Sequence, residues 1–204
     1  MNADCPVIVM AKAPVPGQVK TRLIPALGAA GAAALAHCLL ARTLEQALAA
    51  QLGAVDLCCA PDAGHPAFAH LAGWDGLSLS AQGDGDLGQR MARALARALQ
   101  RTERALLIGT DVPALDAAVL RRAAAALHEH DAVFVPALDG GYALVGLRRS
   151  LPALFAGIAW STPRVMAQTR QRLAENGLRH AELDALADID EPADLAQLPP
   201  GWRA

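Results

Sequence analysis

Short apolar runs alternate along the chain with longer stretches of helical periodicity. The runs typical of buried strands occupy 7–10, 55–60, 77–80, 105–108, 132–136 and 142–147. The clearest helical stretches cover roughly 29–52, 87–101, 116–130 and 162–176. Because strands that alternate with helices usually pair in parallel, this order predicts an α/β fold. We expect a three-layer αβα sandwich with a mostly parallel, Rossmann-like sheet.

Three segments carry signals for the first residue of a helix. Asp116 is a suitable N-cap for the third helical stretch. Thr162, followed by Pro163, predicts the start of the fourth. Near the end of the chain, Pro192 predicts a short last helix that begins just after Asp190 or Glu191.

Length, charge and hydropathy narrow the class of protein. A chain of 204 residues predicts one domain over 1–204. The net charge of -2 and the pI of about 6.3 argue against broad binding to nucleic acid or to an acidic membrane surface. No apolar run approaches the roughly eighteen residues of a membrane span, and no basic leader precedes an apolar stretch. We therefore expect a soluble cytoplasmic protein without nucleic-acid or membrane partners.

The four cysteines show no spacing typical of a metal site or a redox motif. They are Cys5, Cys38, Cys58 and Cys59. We expect buried, reduced thiols at these positions.

The segment "AKAPVPGQVKTRL" at 11–23 joins the first predicted strand to the first long helix. Loops at this position bind phosphorylated ligands in open α/β sheets. The candidate nucleotide-binding residues are Lys12, Pro16, Gly17, Lys20, Thr21 and Arg22. Proline restricts the backbone and glycine permits a tight turn, so the loop presents its cations in a stiff frame. The alternative is a solvated basic turn whose lysines aid solubility.

The segment "LLIGTDVPAL" at 106–115 places Asp111 directly after an apolar strand. A carboxylate at the carboxyl end of a strand is a suitable ligand for Mg²⁺, which prefers oxygen and often bridges carboxylates to substrate phosphates. The alternative is that Asp111 only forms a local turn or cap.

The segment "ADIDEPADL" at 187–195 contains four carboxylates within a few residues. Asp190 or Asp188 is a candidate second ligand for the metal, and Asp190 is the preferred one. Helix capping and a solvated acidic face explain the same residues equally well.

Two further segments each allow a structural and a functional interpretation. In "PALDGGYALVGL" at 136–147, Asp139, Gly140 and Gly141 predict a hairpin turn that could also let a sugar or phosphate approach the backbone. In "GIAWSTPRV" at 157–165, Ser161 and Thr162 precede a predicted helix and could cap it or hold an anion.

The segment "AQGDGDLGQRM" at 81–91 is rich in glycine and leads into the second helix. Asp84 and Asp86 lie in the loop, and Arg90 lies on the helix that follows. The segment is either a plain loop with an N-cap or a lid that contacts the base of a bound ligand.

Taken together, these motifs resemble a known family. The order A-K-x-P-x-P-G-x-V-K-T-R-L, G-T-D-x-P-x-L, P-A-x-D-G-G-Y-x-L-x-G-L, W-S-T and D-I-D-x-P-x-D-L is similar to that of the rSAM/selenodomain-associated transferases. That group belongs to the nucleotide-diphospho-sugar transferase superfamily, which has the GT-A fold. The first loop is more distantly similar to those of 2-phospholactate guanylyltransferases and molybdopterin nucleotidyltransferases, although their paired glycines are missing here.

The resemblance implies a role for the residues at the strand ends. Asp111 would hold Mg²⁺ (or Mn²⁺) on the donor's phosphates, while Lys20 and Arg22 would neutralise them, so these three are the candidate catalytic residues. Catalysis would then be positioning and charge stabilisation without a protein nucleophile.

The resemblance also implies a class of reaction. The expected partners are a nucleotide or nucleotide-sugar donor and a small-molecule acceptor, and a homodimer is an open alternative for the assembly. The expected function is a metal-dependent glycosyltransferase. The alternatives are a nucleotidyltransferase that releases pyrophosphate and a non-catalytic module that binds a phosphorylated metabolite.

Overall fold

A seven-stranded sheet forms the centre of the protein in a computed structural model, which describes residues 5–198 and Trp202. In chain order the strands are β1 (Val7–Lys12), β2 (Val55–Ala60), β3 (Leu77–Ala81), β4 (Ala105–Ile108), β5 (Ala132–Pro136), β6 (Tyr142–Leu147) and β7 (His180–Glu182). They lie side by side in the order β3–β2–β1–β4–β6–β5–β7. The pairs that include β6 are antiparallel and the other named pairs are parallel. The predicted α/β fold with a mostly parallel sheet is therefore confirmed.

Strand β1 lies within the parallel part of the sheet and is apolar on both faces. Helices cover both faces of the sheet, so both sets of side chains are buried. Val9 lies opposite Leu57 of β2 and Ile108 of β4. It packs in one apolar layer, while its neighbour Ile8 packs in the layer on the other face. Successive side chains of a strand point to opposite faces, so one short run contributes to both cores.

Four helices cover the sheet and make the outer layers. They are α1 (Ile24–Ala49), α2 (Leu87–Leu99), α3 (Ala117–Ala126) and α4 (Val165–Glu175). Helices α1 and α3 pack on one face, for example through Leu44 and Leu120, and α2 and α4 pack on the other through Leu95 and Leu173. The three-layer arrangement is the predicted one, whereas the single-domain organisation over 1–204 stays a prediction.

Helix α1 differs from the sequence-based expectation in its start and in its hydropathy. It begins at Ile24 and contains Gly28 with a φ of +71°, a non-helical conformation that breaks its first turn from the rest. Within Thr21–Ala49 an 18-residue window has a mean hydropathy of 1.8, so the segment is long and apolar enough to cross a membrane by length and composition alone. That corrects the expectation that no run is long enough, but core helices pass the same test, and α1 packs Leu44 against the sheet.

The helix starts predicted from capping residues have different outcomes. Asp116 caps α3 as predicted, because its carboxylate accepts a hydrogen bond of 2.9 Å from the backbone N–H of Val119. Thr162 does not cap α4, which begins at Val165 after Arg164. The Thr162 hydroxyl instead donates to the carbonyl of Ala159 at 2.7 Å and closes the preceding turn.

The short helix predicted near the end of the chain is a 3₁₀ turn over Pro192–Gln197. Its cap is Glu191, one of the two residues predicted for that position, and a capping box joins Glu191 to Asp194. Strand β7 is not predicted by the pattern, because it is short and only partly buried at the edge of the sheet.

The four cysteines differ in burial. Three are buried, but Cys38 on α1 is exposed, which corrects the expectation that all four are buried. Burial raises the pKa of Cys59 to about 12, so this thiol is inert at neutral pH.

The packing around β6 predicts the effect of one added methyl group. In Gly146→Ala the new Cβ would lie 2.6 Å from side-chain atoms of Leu106 and Val133, both fully buried. We expect a loss of about 1–3 kcal/mol in the free energy of unfolding, measured by urea denaturation. Gly109→Ala is the control, because nothing lies within 4 Å of its added Cβ. Equal losses in the two variants would contradict the packing argument.

Candidate functional site

A cleft of about 940 Å³ opens beside the carboxyl ends of the parallel strands. Loops after β1, β3 and β4 line it, together with the β5–β6 turn and the segment 187–191. The predicted site residues in its lining are Lys12, Lys20, Thr21, Arg22, Asp111, Asp139, Gly141, Ser161, Thr162 and Asp190. Those outside the lining are Pro16, Gly17 and Gly140. The structure thus brings most of the predicted residues to one rim of the sheet.

Lys20 lies at the centre of the charged part of this cleft. Its ammonium is 2.7 Å from Oδ1 of Asp111 and 3.7 Å from Oδ1 of Asp190. It also donates a hydrogen bond of 2.5 Å to the carbonyl of Ile189. Only 4% of the side chain is exposed, so a buried ammonium is balanced by two carboxylates and a backbone oxygen.

The backbone of Lys20 is in the left-handed region, with a φ of +48°. Residues with a side chain rarely adopt this conformation, which costs free energy and occurs often at functional sites. Lys20 in this conformation immediately precedes the 3₁₀ turn Thr21–Leu23, and that turn contains Arg22. The turn therefore presents two cations in succession to the cleft.

Arg22 forms a further ion pair of the site, with Asp190. One terminal nitrogen of its guanidinium lies 2.5 Å from Oδ2 of Asp190. The side chain is 61% exposed, so the pair faces solvent and its net energy is small.

Asp190 reaches the site because its segment docks on the loop after β4. The backbone N–H of Ile189 donates to the carbonyl of Asp111 at 2.9 Å. The next two N–H groups, of Asp190 and Glu191, donate to one carboxylate oxygen of Asp194 at 3.0 and 2.7 Å. These bonds fix the Asp190 side chain beside Asp111, which sequence spacing alone does not determine.

Lys12 lines the cleft but does not join the ion pairs found within residues 5–198. Its ammonium donates to the carbonyl of Gln18 at 2.7 Å and so closes its own loop. Gly17, with a φ of +78°, allows the turn that this closure needs. The loop is therefore closed by a hydrogen bond of its own. The prediction from its prolines concerned the stiffness of the backbone and stays a prediction.

The turn between β5 and β6 has the predicted hairpin geometry and also faces the cleft. Asp139 accepts a hydrogen bond of 2.8 Å from the N–H of Gly141, which accounts for its place in the turn. A Cβ on Gly140 would lie 2.3 Å from the carbonyl oxygen of Pro163, so only glycine fits there. Gly140 also accepts a bond of 2.8 Å from the N–H of Met166 in the first turn of α4. Gly140 is therefore explained by packing, while Asp139 remains available to a ligand.

Ser161 and Thr162 lie in the cleft, but on the loop before α4 rather than at its N-cap. Ser161 has a φ of +60°, a second left-handed residue at this site. Their role as an anion site stays a prediction.

The carboxylates at this rim are chemically suited to a divalent cation. Burial raises the pKa of Asp188, and repulsion from the nearby carboxylate of Asp139 raises it further. Such mutual repulsion marks a place where added positive charge is favourable. Within the described residues no group of three or more His, Cys, Asp or Glu side chains forms a complete metal cage. Mg²⁺ and similar ions need fewer protein ligands when substrate phosphates complete the shell, so Asp111 and Asp190 fit such an ion.

The lining of the cleft also includes aromatic residues to which the sequence assigns no individual role. Trp160 packs edge-on against Tyr142 with ring centroids 6.4 Å apart, and Tyr142 in turn packs against Phe134 at 5.3 Å. Burial raises the pKa of the Tyr142 hydroxyl, so it stays protonated. Gln82 and Met91 also line the cleft. The sequence signals include Trp160, Gln82 and Met91 only as members of longer motifs and give none of them a role of its own, and Tyr142 is the one tyrosine of the chain.

Comparison with known proteins identifies relatives of this chain. Residues 43–162, more than half of the chain, match the family described as "Uncharacterized protein conserved in bacteria (DUF2064)". The match includes Asp111 and the β5–β6 turn but not the loop that contains Lys20. No curated protein matches the chain.

Solved structures with the same fold include one at substantial sequence identity. A protein from Desulfovibrio desulfuricans G20, provisionally named a nucleotide-diphospho-sugar transferase, is 32% identical with a TM-score of 0.83, over 92% of this chain and 82% of that one. Rv0371c from Mycobacterium tuberculosis H37Rv, solved in complex with manganese, is 20% identical with a TM-score of 0.58, over 96% and 97%. A cytidylyltransferase from Leptospira borgpetersenii is 13% identical with a TM-score of 0.62, over 94% and 83%. The last two likenesses show the fold alone.

The two cations of the site differ in burial, and this predicts different effects on stability. Lys20→Ala removes a buried side chain and leaves the Ile189 carbonyl without its donor, so we expect a loss of about 1–3 kcal/mol in the free energy of unfolding. Arg22→Ala breaks an exposed pair and should cost less than about 1 kcal/mol. Urea denaturation of both variants measures the difference. A larger loss for Arg22→Ala would show that Lys20 is not buried in the ion-pair cluster.

Proposed function

The chain belongs to the DUF2064 family of bacterial proteins, and from its site we propose that it is a metal-dependent transferase with a nucleotide-activated donor. The proposed reaction is glycosyl transfer from a nucleotide sugar. The observation that carries the proposal is the meeting of Lys20, from the β1–α1 loop, with Asp111, from the end of β4, at 2.7 Å in one cleft. The 32% identical relative, provisionally named a nucleotide-diphospho-sugar transferase, supports the choice of donor.

The cations of the β1–α1 loop hold the diphosphate of the donor. Lys20 and Arg22 face the cleft side by side and are already ordered by their carboxylate partners. Charge-assisted hydrogen bonds to phosphate are about twice as strong as neutral ones, so the phosphate can compete for these donors. Because the loop is stiffened before the donor arrives, less conformational entropy is lost on binding.

Asp111 and Asp190 are the residues that would hold a divalent ion. A bound Mg²⁺ or Mn²⁺ would supply positive charge to the phosphate oxygens of the leaving group. The fold neighbour solved with manganese supports a divalent ion as part of the proposal, and the choice of Asp111 and Asp190 rests on their place in the cleft.

The acceptor reacts at the sugar carbon that is bonded to the diphosphate. An acceptor hydroxyl forms the new C–O bond, and the bond to the diphosphate breaks with its electron pair on the departing nucleoside diphosphate. The hydroxyl proton passes to a carboxylate of the cleft. Asp188 is suited to accept it, because burial and the neighbouring Asp139 raise its pKa above that of an ordinary aspartate and so make it a stronger base.

Nucleotidyl transfer is the second candidate, and the cytidylyltransferase among the fold neighbours favours it. In that reaction the acceptor attacks phosphorus and pyrophosphate leaves. Product analysis with purified protein, Mg²⁺ or Mn²⁺ and a panel of donors distinguishes the reactions. Nucleoside diphosphate supports glycosyl transfer, pyrophosphate supports nucleotidyl transfer, and binding without either product would identify a non-catalytic module. The rSAM association, the cytoplasmic location and a homodimeric state stay predictions.

Ligand binding is measurable before the acceptor is known. A nucleotide at about a hundred times its Kd adds roughly 2.7 kcal/mol to the stability of the folded state, so the melting temperature should rise. We expect a larger rise with Mg²⁺ or Mn²⁺ present than without it. A thermal-shift panel without any such rise would contradict nucleotide binding.

The metal role of Asp111 predicts a separation of folding from activity. Asp111→Asn should keep the fold, because the side chain is half exposed, but lose metal-dependent turnover by about 10²-fold or more. Steady-state kinetics across a Mn²⁺ titration measure this loss. Asp75→Asn, an exposed change outside the cleft, is the control and should behave like the unmodified protein. An unchanged rate in Asp111→Asn would remove Asp111 from the metal site.

A further inference from the structure

Asp194 lies four residues after Asp190, and the turn Pro192–Gln197 brings its carboxylate back to that residue. Oδ2 of Asp194 accepts a hydrogen bond of 3.0 Å from the N–H of Asp190 and one of 2.7 Å from the N–H of Glu191. A charged acceptor makes such bonds about twice as strong as neutral ones. The two N–H groups belong to the peptide groups on either side of the Asp190 Cα, so one carboxylate oxygen fixes the backbone at Asp190.

Capping of the turn accounts for only one of these two bonds. Glu191 is the cap residue of Pro192–Gln197, and the bond from its N–H to Asp194 is part of the capping box. The N–H of Asp190 lies before the cap, so the turn does not need the bond that this group makes. The turn also buries none of its own residues, so little of the stability of the fold depends on its cap. The bond from Asp190 therefore acts on the site.

Ile189 holds the chain on the other side of Asp190. The side chain of Ile189 is 1% exposed and packs with Leu23 in an apolar cluster that is separate from the two layers on the sheet. Its N–H donates to the carbonyl of Asp111 at 2.9 Å, and its own carbonyl accepts from Lys20. The main chain of Asp190 is thus anchored both before and after its Cα.

The side chain of Asp190 needs this anchor because its own contacts hold it loosely. It is 36% exposed and its partner Arg22 is 61% exposed, and an ion pair with this exposure contributes little. In the proposed function Lys20 and Arg22 turn to the phosphates of the donor, and both contacts of the carboxylate are then lost. The fixed backbone is what would then keep this carboxylate beside that of Asp111.

We propose that Asp194 is a positioning residue of the metal site, which raises the affinity for the divalent ion by holding Asp190 through these two hydrogen bonds. The inference rests on the proposed function, in which Asp111 and Asp190 hold the ion. Removal of a group that orients a metal ligand typically costs about 10–100-fold in metal affinity. In this role Asp194 touches neither the ion nor the donor, and its effect passes through Asp190.

Titration of Mn²⁺ followed by electron paramagnetic resonance, at a fixed concentration of ADP, CDP, GDP or UDP, tests the proposal. The free nucleotide chelates the ion equally in every sample, so the ratio between variants reports the protein. Asp194→Ala removes both hydrogen bonds and should weaken Mn²⁺ binding by about tenfold or more. Asp194→Asn loses the charge but keeps an oxygen that can accept the same bonds, so it should recover most of that loss. Unchanged affinity in Asp194→Ala, or an Asp194→Asn as weak as Asp194→Ala, would overturn the role.

Amide hydrogen exchange of the metal-free protein gives a second readout. The N–H groups of Asp190 and Glu191 should exchange faster in Asp194→Ala, because their acceptor is gone. Asp116→Ala is the matched control. It also removes a carboxylate that accepts a backbone N–H, that of Val119 at 2.9 Å, but it lies outside the lining of the cleft. This control should lose stability and keep its affinity for Mn²⁺.

Failure of the inference is distinguishable from failure of the proposed function. If the unmodified protein does not bind Mn²⁺ with any of the four nucleotides, the proposed function fails together with the inference. If it does and Asp194→Ala binds the ion as tightly, only the inference fails. Should Asp194→Ala not fold, a loss of about tenfold in Asp194→Asn would still overturn the inference. Rapid exchange at Asp190 and Glu191 in the unmodified protein would overturn it as well.

Discussion

The site depends on one buried ammonium group. Lys20 is 4% exposed, and such a charge is tolerated in the folded protein only if opposite charges and acceptors surround it. Asp111, Asp190 and the carbonyl of Ile189 meet that demand. They come from the end of β4 and from the last part of the chain, so the ion-pair cluster joins the first loop of the sequence to segments far from it. A change in any of these segments therefore acts on the others.

In the proposed function, the same arrangement would couple the binding of the metal to the binding of the donor. When Lys20 and Arg22 turn to a phosphate, Asp111 and Asp190 lose the cations that balance them here. Two carboxylates without counter-charge at a partly buried rim are unfavourable, and a divalent cation restores the balance. The donor and the ion should each bind more tightly in the presence of the other, because the coupling free energy is reciprocal. In the proposed mechanism, Asp111 and Asp190 would hold a divalent ion after Lys20 and Arg22 have turned to the substrate, and that ion would supply the positive charge that the two cations provide here.

The sequence predicts those parts of the structure that depend on local signals. Six of the seven strands are apolar runs, and Asp111 follows one of them, so its position at the cleft was predictable. Strand β7 was not predictable, because its three residues at the sheet edge, two partly buried and one exposed, have no apolar pattern. Thr162 has the residue type of a cap, yet its hydroxyl bonds to Ala159 and the helix begins later. Local propensity is a weak prior when a tertiary contact offers the same group another partner.

Gln82 shows why a side chain that bridges two strands is harder to predict than a charged residue at the end of a strand. The glycine-rich loop was a candidate base-contacting segment, but nothing in the sequence distinguishes the glutamine within it. Its amide donates to the carbonyls of Ala11 and Cys58, and only the strand order β3–β2–β1 brings both within reach of one side chain. In open α/β sheets, ligands bind outside the carboxyl ends of the strands. Charged residues that directly follow an apolar run can therefore be recognised in the sequence as candidate phosphate ligands. The partners of a bridging side chain are set by the pairing of the strands, which leaves no local signal in the sequence.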